Sequence, residues 1–252
     1  MSIHWLKFNS RSFSMTALFD DPIGRAVYDF HFNSINHPII VHSDDFDDDT
    51  IEPSYLFRSY RLMPALEKKA MTLCKGSILD VGACAGAHSM HLQSKGFEVT
   101  ALETSALCCE VLKSRNIKKV IQQDIFKFTN QKFDTILLLM NGTGIAGALA
   151  GLEVLLHHLS TLLNTGGQIL IDSSDLIYLY EQEDGSAVLD LSAENYYGEL
   201  VFQTEYKGWV SPAFPWLYVD LNNLENAIEK NQLKLNKVFK GQHYDYLAQI
   251  TF

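Results

Sequence analysis

The stretch Ser77–Leu92, SILDVGACAGAHSMHL, constrains the fold more than any other part of the chain. Ser77–Val81 is a short apolar run that carries one carboxylate, Asp80. Gly82, Ala83, Cys84, Ala85, Gly86 and Ala87 follow, all small, and Ser89–Leu92 begins a helix that Gly96 ends. Strand, small-residue turn and helix in that order make the opening unit of a nucleotide-binding α/β domain. The turn is small because a ligand must lie against its backbone, where a larger side chain would block it.

Asp80 narrows the ligand. A dinucleotide would place its pyrophosphate at this turn and on the helix N-terminus, and a carboxylate two residues before Gly82 would repel it. The dinucleotide fingerprint also needs a glycine under the pyrophosphate and a third for helix packing. Cys84 and Ala87 occupy those positions. A phosphate-free cofactor that presents an ammonium and a sulfonium suits Asp80, and backbone N–H groups can hold its carboxylate. Asp80-x-Gly82-x-Cys84-x-Gly86 resembles motif I (D/E-x-G-x-G-x-G) of the class I S-adenosylmethionine-dependent methyltransferases. Cys84 stands where that family usually has glycine.

The resemblance implies S-adenosylmethionine as cofactor and a Rossmann-like, three-layer doubly wound α/β sheet. That sheet would have about seven strands, mostly parallel, with an antiparallel edge strand. Asp80 and the turn Gly82, Ala83, Cys84 and Gly86 would hold the methionine moiety. Phe97–Leu102 reads as the second strand and ends in Glu103 and Thr104. An acid at that strand tip accepts hydrogen bonds from ribose hydroxyls. Ser105 is placed to cap the helix that follows. Val120–Asp124 is the third strand. In the resembled family an acid there meets the adenine amino group and the next apolar residue packs on the ring, which implicates Asp124 and Ile125.

Phe133–Met140 is a nearly continuous apolar run, as expected of a strand covered on both faces. In the resembled family the end of this strand faces the methyl group, which implicates Met140 and Asn141. No N/D-P-P-Y/F follows, nor the acidic residues of metal-dependent or protein-arginine enzymes of this family, so no catalytic residue is named and no metal is expected. Ile145–Leu163 has the leucine spacing of an amphipathic helix, and its His157 and His158 read as packing or surface residues. Asn164–Gly167 reads as a turn and Gln168–Asp172 as the fifth strand, leaving Asp172 and Asp175 at the sheet edge as candidate substrate contacts.

Two regions lie outside the named motifs. The resemblance implies a helical cover over residues 1–74, as N-terminal helices form in many members of that family, with 1–14 a loose leader, Pro22 opening a helix, and Tyr55, Arg58, Tyr60 and Arg61 as candidate substrate contacts. Residues 75–252 form the α/β domain, with an antiparallel, aromatic-rich insertion at about 176–220 that contributes Tyr197 and Trp209 as further candidates. A packing role explains these arginines and rings equally well. Leu233–Lys240 and Tyr246–Phe252 make a closing strand pair.

The net charge of −10 over 252 residues argues against a nucleic-acid partner, which a basic face would attract. The acidic run Asp44–Glu52 reads as a solvated loop. Four cysteines without zinc spacing read as free thiols, and no apolar run is long enough to span a membrane, so a cytoplasmic enzyme is expected. The expected activity is methyl transfer to a small-molecule acceptor. A protein acceptor, a non-methylating transferase on the same fold and a cofactor-binding scaffold without turnover remain as alternatives.

Overall fold

The computed structural model describes residues 21–182 and 195–252. The loose leader expected over 1–14, and the middle of the 176–220 insertion, lie outside these residues. The chain opens with α1 (Pro22–Asn33), where Asp21 accepts the Gly24 N–H at 2.8 Å and Pro22 occupies the first turn. Strands β1 (Ile39–Ser43) and β2 (Asp49–Ile51) follow, then α2 (Pro53–Leu56), a 3-10 turn at Tyr60–Leu62 and α3 (Ala65–Leu73).

The alternating part of the chain comes next: β3 (Ser77–Val81), α4 (Ala87–Ser94), β4 (Glu98–Glu103), α5 (Ala106–Ser114), β5 (Lys119–Gln122), β6 (Phe133–Leu138), α6 (Leu149–Thr161) and β7 (Leu163–Ser174). The insertion supplies β8 (Glu199–Tyr206), β9 (Trp209–Val210) and β10 (Phe214–Leu217). The chain then closes with α7 (Leu221–Lys230), β11 (Lys234–Lys240) and β12 (Asp245–Thr251).

Seven strands form one sheet in the order β11-β12-β7-β6-β3-β4-β5. Neighbours among β3 to β7 pair in parallel, while β12 runs against both β7 and β11. The reversed strand therefore lies one place in from the edge, with β11 outside it. The central strands are apolar throughout because both faces are covered. Ile136 and Ile169 face a cluster with Leu152, Leu155 and Leu156 of α6. Their neighbours Leu137 and Leu170 face the opposite cluster, with Leu66 and Ala70 of α3.

Two elements differ from their expected limits. The helix expected over 145–163 begins only at Leu149, because Gly142–Ala146 is a 3-10 turn closed by Gly147 at φ +74°. Asn164–Gly167, expected as a turn, lies inside the long strand β7, where its pairing with β6 slips register between Phe133 and Thr135.

A second, antiparallel sheet has the order β10-β8-β1-β2, with β9 also paired to β8. The expected helical cover is thus part helix and part strand. Ile39-Ile40-Val41 is β-branched, and pairing it with Thr204 and Glu205 of β8 satisfies backbone that would otherwise form a free edge. The N-terminal cover and the insertion build one structure over the main sheet. Among the described residues no helix is long and apolar enough to cross a membrane.

Candidate functional site

Strands β3, β4, β5 and β6 end at one edge of the main sheet, where open α/β sheets bind ligands. That edge opens into a cavity of about 710 Å³, closed on its far side by the second sheet through Ile39, Val41, Phe202, Phe214 and Trp216. A recess of about 20 Å³ beside the β3 turn is lined by Arg58, Asp80 and His88.

The β3 turn is held to β4 by its backbone: Gly82 and Ala83 donate their N–H groups to the Leu102 carbonyl at 2.9 and 3.2 Å. Gly82 and Gly86 have φ of +70° and +81°, and a Cβ on Gly86 would meet Leu112 at 2.6 Å. A side chain at either would strain the backbone. Cys84 adopts φ +48° despite its side chain, at the position where motif I usually has glycine. Asp80 lies buried beneath the turn and accepts the Ser89 hydroxyl at 2.6 Å. Burial raises its carboxyl above the ordinary range, against the charge of His88 and the Ser89 hydrogen bonds.

Glu103 is fixed at the tip of β4. One carboxylate oxygen accepts the Cys84 N–H at 2.8 Å, and the other accepts the Ser105 N–H at 2.9 Å and the Thr104 hydroxyl at 3.3 Å. Burial leaves the Glu103 carboxyl above its ordinary range, against the backbone N–H groups of Ser105, Cys84 and Thr104. Asp21, which sequence reasoning did not single out, joins this edge by accepting the Ser105 hydroxyl at 2.5 Å. Asp124 caps the next turn by accepting the Phe126 N–H at 3.0 Å, and Ile125 is buried beside it. Glu103, Thr104, Asp124, Ile125, Met140 and Asn141 all line the cavity.

The substrate candidates divide. Tyr55 lines the cavity, and Arg58 lines the recess. Tyr60 instead stacks on His91 at 4.1 Å between ring centroids, and Arg61 is exposed. Trp209 lies under the Arg25 guanidinium at 4.2 Å. Tyr197 donates its hydroxyl to Asp175 at 2.6 Å, and Asp175 also caps the following turn at the Ile177 N–H. None of Tyr60, Arg61, Trp209, Tyr197 and Asp175 lines the cavity; Arg61 faces solvent and the other four are spent on local contacts.

Asp172 is a brace rather than a wall. It accepts the N–H groups of Met140 and Gly142 at 3.1 and 3.0 Å, which holds the left-handed Met140–Asn141 turn in place. Burial raises its carboxyl to about 6, against those two hydrogen bonds. We expect carboxyl-carbon NMR to show Asp172 titrating near pH 6. The folded value lies above the unfolded one, so this group favours the folded state most at acid pH. That advantage is lost as pH rises through 6. A midpoint near 4 would contradict the assignment.

A buried cluster anchors the recess, and nothing in the sequence pattern announced it. Arg58 donates to both carboxylate oxygens of Glu67 at 2.6 and 3.2 Å, and His88 Nε2 meets Glu67 at 2.8 Å. Arg58 also spans the Tyr55 ring at 4.3 Å and donates to its carbonyl, which fixes Tyr55 at the cavity.

The cavity's far wall depends on the turn after β6. A Cβ on Gly144 would lie 1.8 Å from the Trp216 ring. We expect Gly144→Ala to force that ring aside and cost about 1–3 kcal/mol, the range for overpacking a filled site. Chemical denaturation with tryptophan fluorescence reads both effects, and unchanged stability and emission would refute the contact's importance.

A family model described as a methyltransferase domain matches residues 79–171. An S-adenosylmethionine-dependent methyltransferase from Bacteroides fragilis, solved in complex with S-adenosyl-L-homocysteine, is 42% identical. The match covers 92% of this chain and 95% of that one, with a TM-score of 0.85. The CcbJ methyltransferase from Streptomyces caelestis is 14% identical over 76% of this chain and 94% of its own, with a TM-score of 0.57. A methyltransferase from Clostridium acetobutylicum is 15% identical over 90% and 97%, with a TM-score of 0.53. These last two show a shared fold only. No curated protein matches the sequence.

Proposed function

Since the chain belongs to the S-adenosylmethionine-dependent methyltransferase family, we propose that it methylates a small molecule held between the main sheet edge and the second sheet. Its cofactor is S-adenosylmethionine, and the donor set suits that molecule. Acids stand at the ends of β3, β4 and β5, and the Gly82 Cα faces open space, with only Ile145 within 4 Å of a notional Cβ. When bound, the cofactor supplies a methyl group already activated by a sulfonium.

The chain's own residues have binding and alignment to perform. Glu103 would accept the ribose hydroxyls, and Asp124 the adenine amino group, with Ile125 against the ring. Asp80 and the turn Gly82, Ala83, Cys84 and Gly86 would receive the methionine moiety. Met140 and Asn141 would border the methyl group, their turn held by Asp172. Tyr55 and the second sheet would exclude water and hold the acceptor in line with the methyl carbon, which is the main demand of such a displacement.

The cleft between the main sheet edge and the second sheet is the observation that carries the small-molecule reading: a concave site walled by a second sheet suits a compact acceptor. Incubation with methyl-labelled cofactor and separate pools of small molecules and proteins tests it. Label in the small-molecule pool is expected. Label confined to proteins would overturn the acceptor class, and no label despite tight cofactor binding would point to a scaffold.

A further inference from the structure

The charge of the cavity is one-sided. Asp21, Glu67, Glu103 and Asp124 line it, and among the described residues no lysine, arginine or histidine does. Arg58 and His88 border only the side recess, and both are bound to Glu67, whose charge they offset, which leaves Asp21, Glu103 and Asp124 as the uncountered acids of the lining. An anionic acceptor would find no protein counter-charge in this space, only the sulfonium of the bound cofactor, and would lie among carboxylates at a heavy desolvation cost. The far wall is aromatic. Phe214 meets Trp216 nearly edge to face at 6.3 Å, and Phe202 meets Tyr218 in the same way at 6.3 Å. Ring faces attract cations, most strongly where water is excluded.

We infer that the acceptor is an amine on an apolar body, not a phenolate, carboxylate or phosphate. This rests on the methyl-transfer reading above and names its substrate class. The nitrogen lone pair forms the new bond to the methyl carbon while the carbon–sulfur pair returns to sulfur, leaving a neutral thioether. Positive charge passes from sulfur to nitrogen, and a primary or secondary amine then gives its proton to water. Until that proton leaves, the charge lies in a cavity lined by carboxylates and aromatic rings. With Glu103 and Asp124 assigned to the cofactor, the aromatic wall remains for the acceptor, together with the charge of Asp21, whose oxygens already accept the Gly24 N–H and the Ser105 hydroxyl.

The test is calorimetry on the full chain saturated with S-adenosylhomocysteine. The probes are benzyltrimethylammonium, its uncharged carbon isostere neopentylbenzene, and phenylacetate. The cation is expected to bind about tenfold tighter than its isostere, within the range of a desolvated cation–ring contact, and phenylacetate not at all. Trp216→Leu should abolish the preference; Phe214→Leu serves where that variant does not fold. Equal binding of cation and isostere, or tighter binding of phenylacetate, in the wild-type protein alone would overturn the inference. Should S-adenosylhomocysteine itself fail to bind, the methyltransferase reading falls first and this inference with it.

Discussion

Glu67→Gln is expected to destabilise the protein by about 3–5 kcal/mol at neutral pH, the range for removing one partner of a buried ion pair. Glu67 and Arg58 are 4% and 5% exposed. Without the carboxylate, Arg58 keeps its charge in a space that water hardly reaches, and the one remaining amide oxygen cannot replace both acceptors that Arg58 and His88 share. The pH dependence follows from the direction of the Glu67 shift. Burial raises its carboxyl, but hydrogen bonds and charge from His88 and Arg58 outweigh it and leave the value below the ordinary 4.5. A lowered folded value means that the stabilisation is present above the unfolded pKa and lost as pH falls through the folded one. Urea denaturation of the wild type and Glu67→Gln should therefore differ widely at pH 7 and converge in strong acid. A gap that persists unchanged in acid, or no gap at pH 7, would contradict the account.

Glu103→Ala is expected to weaken cofactor binding by about 1–3 kcal/mol, the cost of leaving buried hydrogen-bonding groups unpaired. That corresponds to roughly fivefold to 150-fold in Kd. The same carboxylate holds the Cys84 and Ser105 N–H groups, so its loss also loosens the β3 turn against β4. Circular dichroism must accompany the titration to show that the variant is folded. A folded variant with wild-type affinity for S-adenosylhomocysteine would remove the ribose assignment.

The parts of the site legible in the sequence are those written in consecutive residues. Asp80 to Gly86 encode a turn by their size, and Glu103 and Asp124 betray themselves as acids at the ends of apolar runs. The seven-stranded sheet was legible for the same reason, since each strand and its helix are adjacent in the chain. What was hidden depends on pairing across distance. Glu67 sits in an ordinary amphipathic helix, and nothing local says that Arg58 and His88 converge on it. The union of β1 with β8 joins segments over 150 residues apart. Tyr60, Arg61 and Trp209 have the chemistry of substrate contacts, but stacking, solvent and the Arg25 guanidinium claim them instead. Asp172 had its place at the sheet edge correctly read, while its two backbone donors turned it from a contact into a support.

The central claim is that acids at the ends of β3, β4 and β5 shape this edge for a cationic sulfur cofactor and against diphosphates. Isothermal titration of the purified protein with S-adenosylhomocysteine and, separately, with NAD tests it most directly. One S-adenosylhomocysteine should bind per chain, with no heat from NAD. Saturable binding of NAD, or no response to S-adenosylhomocysteine at millimolar concentration, would contradict it.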